Sequence, residues 1–534
     1  MDVENSPSKA YPLFRPSAIE WSCLIFGVFF SFFYSWVLDD AFIYFRYVDN
    51  FIFLKHGLVY NPGEFVEGFS SPFWVICLSV LRTFGITYWT IIRVVGICSY
   101  VVFWALLVVT NRKLSGKTDK PSINIPLIYL TFSYSVMSYF TSGTETPLVL
   151  LCSGVYACFI LFPESRPLQV LVGITPLVRH ELLLPFALLL LWRIFSRKRV
   201  PWILMLSCVV SLGAWIVFRI VYYADFLPNT FYLKNEVSVL QGFYYLLDTI
   251  LPYFAIPFLL FFFVAFKFLK KKEGGGAIFA RERLLMVLSA ALVTLYVIKI
   301  GGDARHFRFL AFPFSLIVIS IGGLLERMIA RGRLKTKYVY GIAVTLALAV
   351  FLCYPRQLLN HPIYRTKNFA HRQYLKITDA AVFRVRKELP SLFSKGEEKE
   401  LKEGMKFWAQ EVKTIPQADV VTTGTCYEGY QDYDKYVIIY FGLSDAFLAR
   451  TQMPSDRPAH KFGLIPHAKD LVRLRKRHGF RRGAFRQSVT KGDAPRWVKM
   501  NLKTLEAIER KVFNSHNLWQ NIRLAFKPVG RINP

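Results

Sequence analysis

Charge is scarce in this chain, and acid is scarcer than base. Of its 534 residues, 19% are Asp, Glu, Lys or Arg, with 36 acidic against 66 basic side chains. A soluble domain usually carries about 25% charge, so an ordinary soluble enzyme is excluded. Cysteine is sparse too. Seven of the eight (Cys23, Cys77, Cys98, Cys152, Cys158, Cys208 and Cys353) fall in apolar stretches and only Cys426 lies elsewhere, so there is neither a disulfide framework nor a zinc spacing. The nine His residues form no metal motif. Neither a Walker loop nor a dinucleotide glycine fingerprint is present, which argues against a soluble nucleotide cofactor.

What the chain does have is apolar and aromatic mass: 54% hydrophobic residues, 16% aromatic, and a mean hydropathy of +0.34. A crossing helix needs about 20 apolar residues, about 17 at the short end. Candidate crossings are 19–38, 88–110, 124–141, 147–163, 167–178, 181–195, 200–222, 249–269, 283–300, 309–325 and 338–354. The short pair 167–178 and 181–195 reads as two helices meeting at Arg179–His180–Glu181. Ser71–Ile86 is apolar but short, and is expected as a helix lying on the membrane surface.

Charge decides between that reading and an extra crossing. If the first helix runs inside to outside, the loop Asp39–Ser70 is external, with acids at Asp39, Asp40, Asp49, Glu64 and Glu67. The turns Arg112–Lys120, Arg197–Arg199, Lys267–Arg283 and Arg327–Lys337 are then internal, and all are basic, as the positive-inside rule requires. The formal charge of +30 belongs to such loops rather than to nucleic-acid binding. Eleven crossings leave the tail outside from about Pro355. The expected architecture is therefore a membrane all-α bundle, residues 1–354, with an external α/β domain, residues 355–534. In that tail Arg384–Lys413 reads as helical, and Ala418–Thr422 and Tyr436–Phe441 read as strands from their β-branched and aromatic content. The basic run Leu471–Arg482 fits anionic lipid or glycan as well as a merely solvated face.

This topology gathers five polar clusters on the outer side: Asp39–Asp40, Ser142–Pro147, Arg179–Glu181, Asp225–Thr230 with Tyr232 and Lys234, and Gly301–Asp303 with Arg305, His306 and Arg308. Ionisable groups near a bilayer are costly, so they pair or do chemistry. A transporter would place them near mid-membrane in matching halves, and no such match exists here. An external, membrane-embedded active site is the better expectation. Within it, one of Asp39 and Asp40 suits a general base for an acceptor hydroxyl while the other orients it. Arg179, Lys234, Arg305 and Arg308 suit an anionic phosphate, or the acids Glu145, Glu181 and Asp303 as partners. His306 lacks a second ligand at metal spacing.

The runs Asp39–Tyr47, Gly57–Glu64 and Val66–Trp74 resemble the first external loop of bacterial GT-C glycosyltransferases, in particular the mycobacterial terminal β-(1→2)-arabinofuranosyltransferase family. Ser142–Pro147, Leu227–Tyr232 with Lys234, Gly301–Asp303 with Arg308–Phe309, and in the tail Gly442–Asp445 and Arg457–His460 continue the resemblance in order. The corner Arg179–His180–Glu181 departs from it, with His180 where Pro is expected.

The resemblance implies a GT-C bundle that moves a sugar, arabinofuranose first among candidates, from a polyprenyl-phosphate donor to a cell-envelope glycan outside the cytoplasmic membrane. It implies Asp40 or Asp39 as the catalytic carboxylate and Glu145 and Glu181 in the sugar pocket. Arg46, Glu67, Asn229, Tyr232 and Asp303 belong with the same substrate-binding set, and the outer bases, with His306, lie about the donor phosphate. The partners implied are the lipid-linked donor, the acceptor glycan and membrane lipid, with no nucleic acid. A divalent metal is possible but no ligand set is assigned. The alternatives are a GT-C enzyme for another lipid-linked sugar and a non-enzymatic carrier or flippase of such lipids.

Overall fold

A computed structural model describes residues 14–115, 123–250 and 281–328 apart from positions 34, 235–238, 304 and 306. It also describes positions 341 and 348 and, in the tail, 420–423, 426–439 less 434, 442–450, 483–485, 502–513 and 517–529 less 528. The described chain is mostly helical. In order come α1 Ala18–Phe33, α2 Ala41–Ile52, α3 Pro72–Thr83, α4 Tyr88–Ser115, α5 Ile125–Phe132, α6 Tyr134–Tyr139, α7 Thr146–Leu161, α8 Arg166–Val178, α9 Leu183–Arg197 and α10 Trp202–Tyr223. They are followed by α11 Asn229–Lys234, α12 Val239–Ile250, α13 Arg281–Lys299 and α14 Ala311–Met328. The tail contributes β1 Val420–Thr423, α15 Cys426–Gln431, β2 Tyr436–Ile439, α16 Ala446–Arg450, β3 Gly483–Phe485, α17 Leu502–Val512 and α18 Leu518–Ala525.

Local chemistry sets several of these boundaries. Ser71 caps α3 by accepting from the Trp74 amide, with Pro72 at the first helical position, the arrangement in which proline's missing N–H costs nothing. The expected helix 124–141 is two helices: Ser133 takes an extended conformation between α5 and α6. The expected span 19–38 ends as α1 at Phe33, and residues 35–38 instead run alongside the loop before α7, with the Trp36 and Leu38 amides bonded to Thr141 and Ser142 carbonyls at 3.2 and 2.9 Å. The surface stretch is helical as anticipated. Among the described residues, α4 and α10 are long and apolar enough by length and composition to cross a membrane. The expected spans 249–269 and 338–354 lie almost wholly outside the described residues, as do the helical stretch Arg384–Lys413 and the basic run Leu471–Arg482. Both expected strands are present, as Val420–Thr423 and Tyr436–Ile439, in a parallel sheet of order β2-β1-β3.

Among the described residues, two large apolar cores hold the molecule. One surrounds Tyr100, Trp104, Tyr129, Tyr156 and Phe312 between α1, α4, α5, α7 and α14. The other runs from Phe45, Tyr47, Trp74 and Trp89 into Cys426, Tyr427, Val437 and Ile439, so the tail shares a core with the first loop. Close approach at Gly96 matters here. A Cβ there would lie 2.1 Å from the Phe140 carbonyl oxygen, so only glycine lets α4 meet the end of α6.

Polar contacts fix the tail to the same loop. The Asp39 carboxylate accepts from the Cys426 and Tyr427 amides, both at 3.1 Å, at the start of α15. Arg46, 1% exposed, donates to the carbonyls of Gly429, of Asp432 at 3.0 Å and of Lys435 at 2.7 Å, at and beyond the end of the same helix. An acid at the first turn and a base at the last match the helix dipole. The Asn61 amide then extends the edge of β2, exchanging bonds of 2.9 Å with both the N–H and the C=O of Val437.

Replacing Arg46 with Leu strips those three tail carbonyls of a buried donor, and unsatisfied buried groups cost about 1–3 kcal/mol each. We expect destabilisation of about 3–5 kcal/mol, measured as a lowered unfolding temperature in detergent with earlier proteolysis of the tail than of the bundle.

Candidate active site

The sequence-predicted residues divide between one cleft and its supports. The cleft is lined by Asp40, Tyr44, Ser70, Glu145, Lys234 and Arg308, with Gly68, Phe69, Thr230 and Leu443 among the other walls. Its charged groups come from four separate stretches. Asp40 precedes α2, Glu145 precedes α7, Lys234 ends α11 and Arg308 opens the turn before α14. Gly143, at φ +79°, allows the loop before Glu145 to fold against Ala41, and Trp74 Nε1 donates to its carbonyl at 3.2 Å.

Each charge in the cleft has a partner. Arg308 is the hub: Nη1 lies 2.5 Å from Asp40 Oδ2 and Nε lies 2.9 Å from Asp303 Oδ2. Arg179 lies behind it, 2.6 Å from Glu145 Oε1 and 2.7 Å from Glu181 Oε1, while the Tyr44 hydroxyl donates to the second Glu145 oxygen at 3.0 Å. Phe309 sits among three cations, its centroid 4.3 Å from Arg179, 4.6 Å from the Lys234 ammonium and 5.3 Å from Arg308. Such contacts stabilise cations once water is excluded.

Electrostatics distinguishes the acids. Burial pushes the Asp39 carboxyl above its ordinary value; Arg305 and the two amides pull it down and Asp40 pushes it up, leaving it raised. Burial would also raise Glu145, but Arg179 and Arg308 outweigh it and hold the carboxyl low. Burial lowers Lys234 to about 8; Asp303 and Asp40 favour its charge, whereas Arg308 and Arg179 oppose it.

Several expected residues lie elsewhere. Arg46 is locked on main-chain carbonyls of the tail. Glu67 is buried against Arg219 and the Trp215 indole N–H, the latter at 3.1 Å. The Asn229 amide donates to the carbonyls of Gly442, Leu443 and Asp445 at 3.0, 3.0 and 3.2 Å, and so positions Leu443 on the cleft wall. Tyr232 donates to Asp225 at 2.7 Å and stacks under Arg450, 3.9 Å from its centroid. Arg305 is half-buried and acts on Asp39 through its charge. His306 lies outside the described residues.

Sequence reasoning missed Arg219. An arginine in an apolar helix of 22 residues was itself the signal that a buried acid faces it. His180, at the corner that departs from the resemblance, has Nε2 3.4 Å from Arg219 Nη2; burial first and the Arg219 charge next lower it to about 4, so it is neutral near pH 7. Asp225, noted in an outer polar cluster, pairs with Arg450 and joins the loop after α10 to the tail; the pairing was not legible, because nothing in the sequence brings positions so far apart together.

Asp39, Asp40 and Cys426 are near enough to share a metal ion, but they fit one poorly. Both Asp39 oxygens accept amide bonds, and burial, reinforced by Asp39 and Asp40, holds the Cys426 thiol well above its ordinary pKa. Thiolate, not thiol, is the metal ligand. No step is derived through a metal.

No protein-family model matches the chain. The chain is 25% identical over 346 residues to the terminal β-(1→2)-arabinofuranosyltransferase of Corynebacterium glutamicum, covering 56% of this chain and 49% of that protein. It is 26% identical over 332 residues to the protein of the same name from Mycobacterium tuberculosis, covering 54% and 52%. The similarity to this family that the first-loop motif suggested is therefore present, and the chain spans about half the length of the curated relatives it matches. Among solved structures, ArnT from Cupriavidus metallidurans bound to undecaprenyl phosphate aligns over 97% of this chain and 86% of its own, at 14% identity and a TM-score of 0.44, too loose a likeness to define a shared fold.

The Lys234 amine sets a pH dependence for anion binding. As pH rises through about 8, the ammonium is lost, so affinity of the cleft for an anionic probe such as inorganic phosphate should fall several-fold. Lys234→Arg should bind with little pH dependence over the same range, read by titration of the detergent-solubilised protein.

Proposed function

We propose that this chain is a GT-C membrane glycosyltransferase that transfers a sugar, arabinofuranose first among candidates, from a polyprenyl-phosphate donor to a cell-envelope glycan. We place the reaction on the outer side of the cytoplasmic membrane. The observation that carries this reading is the convergence in one cleft of Asp40, Glu145, Lys234 and Arg308, each from a stretch of the family resemblance. Sequence similarity to two arabinofuranosyltransferases supports the choice of sugar. A lipid-linked donor requires a site near the membrane surface, and the aromatic surroundings of the cleft suit both a prenyl chain and a sugar face.

In this reading Asp40 is the general base. It lines the cleft and keeps 18% of its side chain exposed, while Asp39 is turned away onto the α15 amides. Binding the donor phosphate to Arg308 and Lys234 would draw Arg308 from Asp40 and free the carboxylate to accept the proton of an acceptor hydroxyl. That oxygen then bonds to the anomeric carbon as the bond to the phosphate oxygen breaks, and the polyprenyl phosphate leaves with the electron pair. Glu145, held ionised by Arg179, is suited to bind sugar hydroxyls.

Transfer by the purified protein from polyprenyl-phosphate arabinofuranose, mannose and glucose tests the proposal. One donor should turn over, and Asp40→Asn should lower that rate about 10²–10⁴-fold, the usual worth of a positioned base, with donor binding kept. Asp39→Asn should act first on stability, by about 1 kcal/mol for a weakened cap. Full activity in Asp40→Asn would refute the assignment, and donor binding without turnover of any sugar would favour a carrier. The external placement of the tail is checked separately: a cysteine at Arg510, whose side chain is 75% exposed, should react with an impermeant reagent in intact cells.

A further inference from the structure

The short helix α18, Leu518–Ala525, begins at an Asn517 cap that accepts from the Gln520 amide. One of its faces is fixed to the outer end of α10. Asn521 and Ala525, four residues apart and both buried, occupy that face, and Asn521 Nδ2 donates to the Val221 carbonyl at 2.6 Å. Just beyond the helix, the Phe526 ring meets Phe226 edge-on at 4.8 Å.

The other face is unusual for a water-exposed helix. Trp519 is 73% exposed and Phe526 66%, and their spacing with Arg523, four and then three residues, puts all three on one stripe. Arg523 and Lys527 are exposed beside them. The helix beneath also turns its apolar side outward: Val209, Val210 and Val217 of α10 are all exposed. The aromatic stripe of α18 thus stands at the end of a helix whose exposed residues are apolar.

From this we infer that α18 is an interfacial anchor, lying in the headgroup zone of the outer leaflet with Trp519 and Phe526 in the acyl boundary and Arg523 and Lys527 on anionic lipid phosphates. Tryptophan concentrates at that depth because its ring is apolar and its N–H is not. An amphipathic helix with bases beside its aromatic face is held there by both terms. The inference rests on the membrane reading of α10. It implies that the tail, which closes the cleft through Leu443, is tied to the bilayer at a second point.

The test uses the full chain in lipid nanodiscs, with the exposed Cys98 replaced by Ser and single spin labels at Val210→Cys, Trp519→Cys and Arg510→Cys. Accessibility is measured to oxygen, which partitions into lipid, and to an aqueous nickel chelate. The label at 519 should show an oxygen-to-nickel ratio several-fold above that at 510 and approaching that at 210. In a second measurement on the 519 label, adding phosphatidylglycerol to phosphatidylcholine discs should deepen it, and Arg523→Glu with Lys527→Glu should abolish that shift. A nickel-accessible 519 beside an oxygen-accessible 210 would overturn the anchor and leave the membrane reading standing. A label at 519 shielded from both reagents would overturn it too, placing the stripe against protein. A nickel-accessible 210 would remove the membrane reading itself.

Discussion

The cleft end of the molecule depends on how one short helix of the tail is held between two side chains of the first loop. Asp39 takes the amides at the start of α15 and Arg46 the carbonyls at its end, and the two stand seven residues apart, at the entrance to α2 and within it. Neither could be buried alone. A carboxylate or guanidinium removed from water costs several kcal/mol unless it is fully hydrogen-bonded, and the two ends of a helix supply donors to one and acceptors to the other. The same two residues therefore determine where α2 starts, where the tail sits and which way Asp40, the next residue in the chain, must face.

That arrangement separates two adjacent aspartates that are chemically identical in the sequence. Sequence reading singles out the pair and its fitness for acid–base work, but it cannot rank them. Ranking depends on Cys426 and Tyr427, almost four hundred residues away, whose amides occupy Asp39. The same limit explains Arg46 and Glu67. Both belong to the long first-loop motif, and a motif does not distinguish residues that meet a ligand from residues that build the wall. Glu67 faces Arg219 across the bundle and Arg46 faces main chain, partners without any local signature.

Other parts were legible for physical reasons that hold locally. The helix Pro72–Thr83 announces itself through a serine cap and a proline at its first turn. The strands at 420–423 and 436–439 follow from β-branched residues between polar turns. The break at Ser133 was not legible, because an uncharged run with serines spaced along it fits one helix as well as two. Its cause is tertiary: the second half must bend so that the chain reaches Ser142 and Gly143 beside the first loop. The polar loops at Ser142–Pro147, Asn229–Lys234 and Asp303–Arg308 were assigned to one side by the charge of the loops on the other, and the cleft they form together is where that assignment has its consequence.

The cleft itself is a balance of charges rather than a store of positive potential. Asp40, Asp303, Glu145 and Glu181 face Arg308 and Arg179 at short range, so a phosphate does not enter a site where the guanidinium groups are uncompensated. It must compete with carboxylates for guanidinium groups that already have partners. Competition favours the most exposed carboxylate as the one displaced. Of the four it is Asp40, 18% exposed, that is held by the same guanidinium that a buried Asp303 holds from the other side. Arg308 can thus exchange one partner without losing both, and keep its orientation while doing so. Lys234, whose ammonium burial has made easier to discharge, is the remaining adjustable charge, and an arriving anion would favour its protonated form. If, as proposed, Arg308 takes the donor phosphate and Asp40 is the base, donor binding and exposure of the base are one event, because both draw on the same arginine.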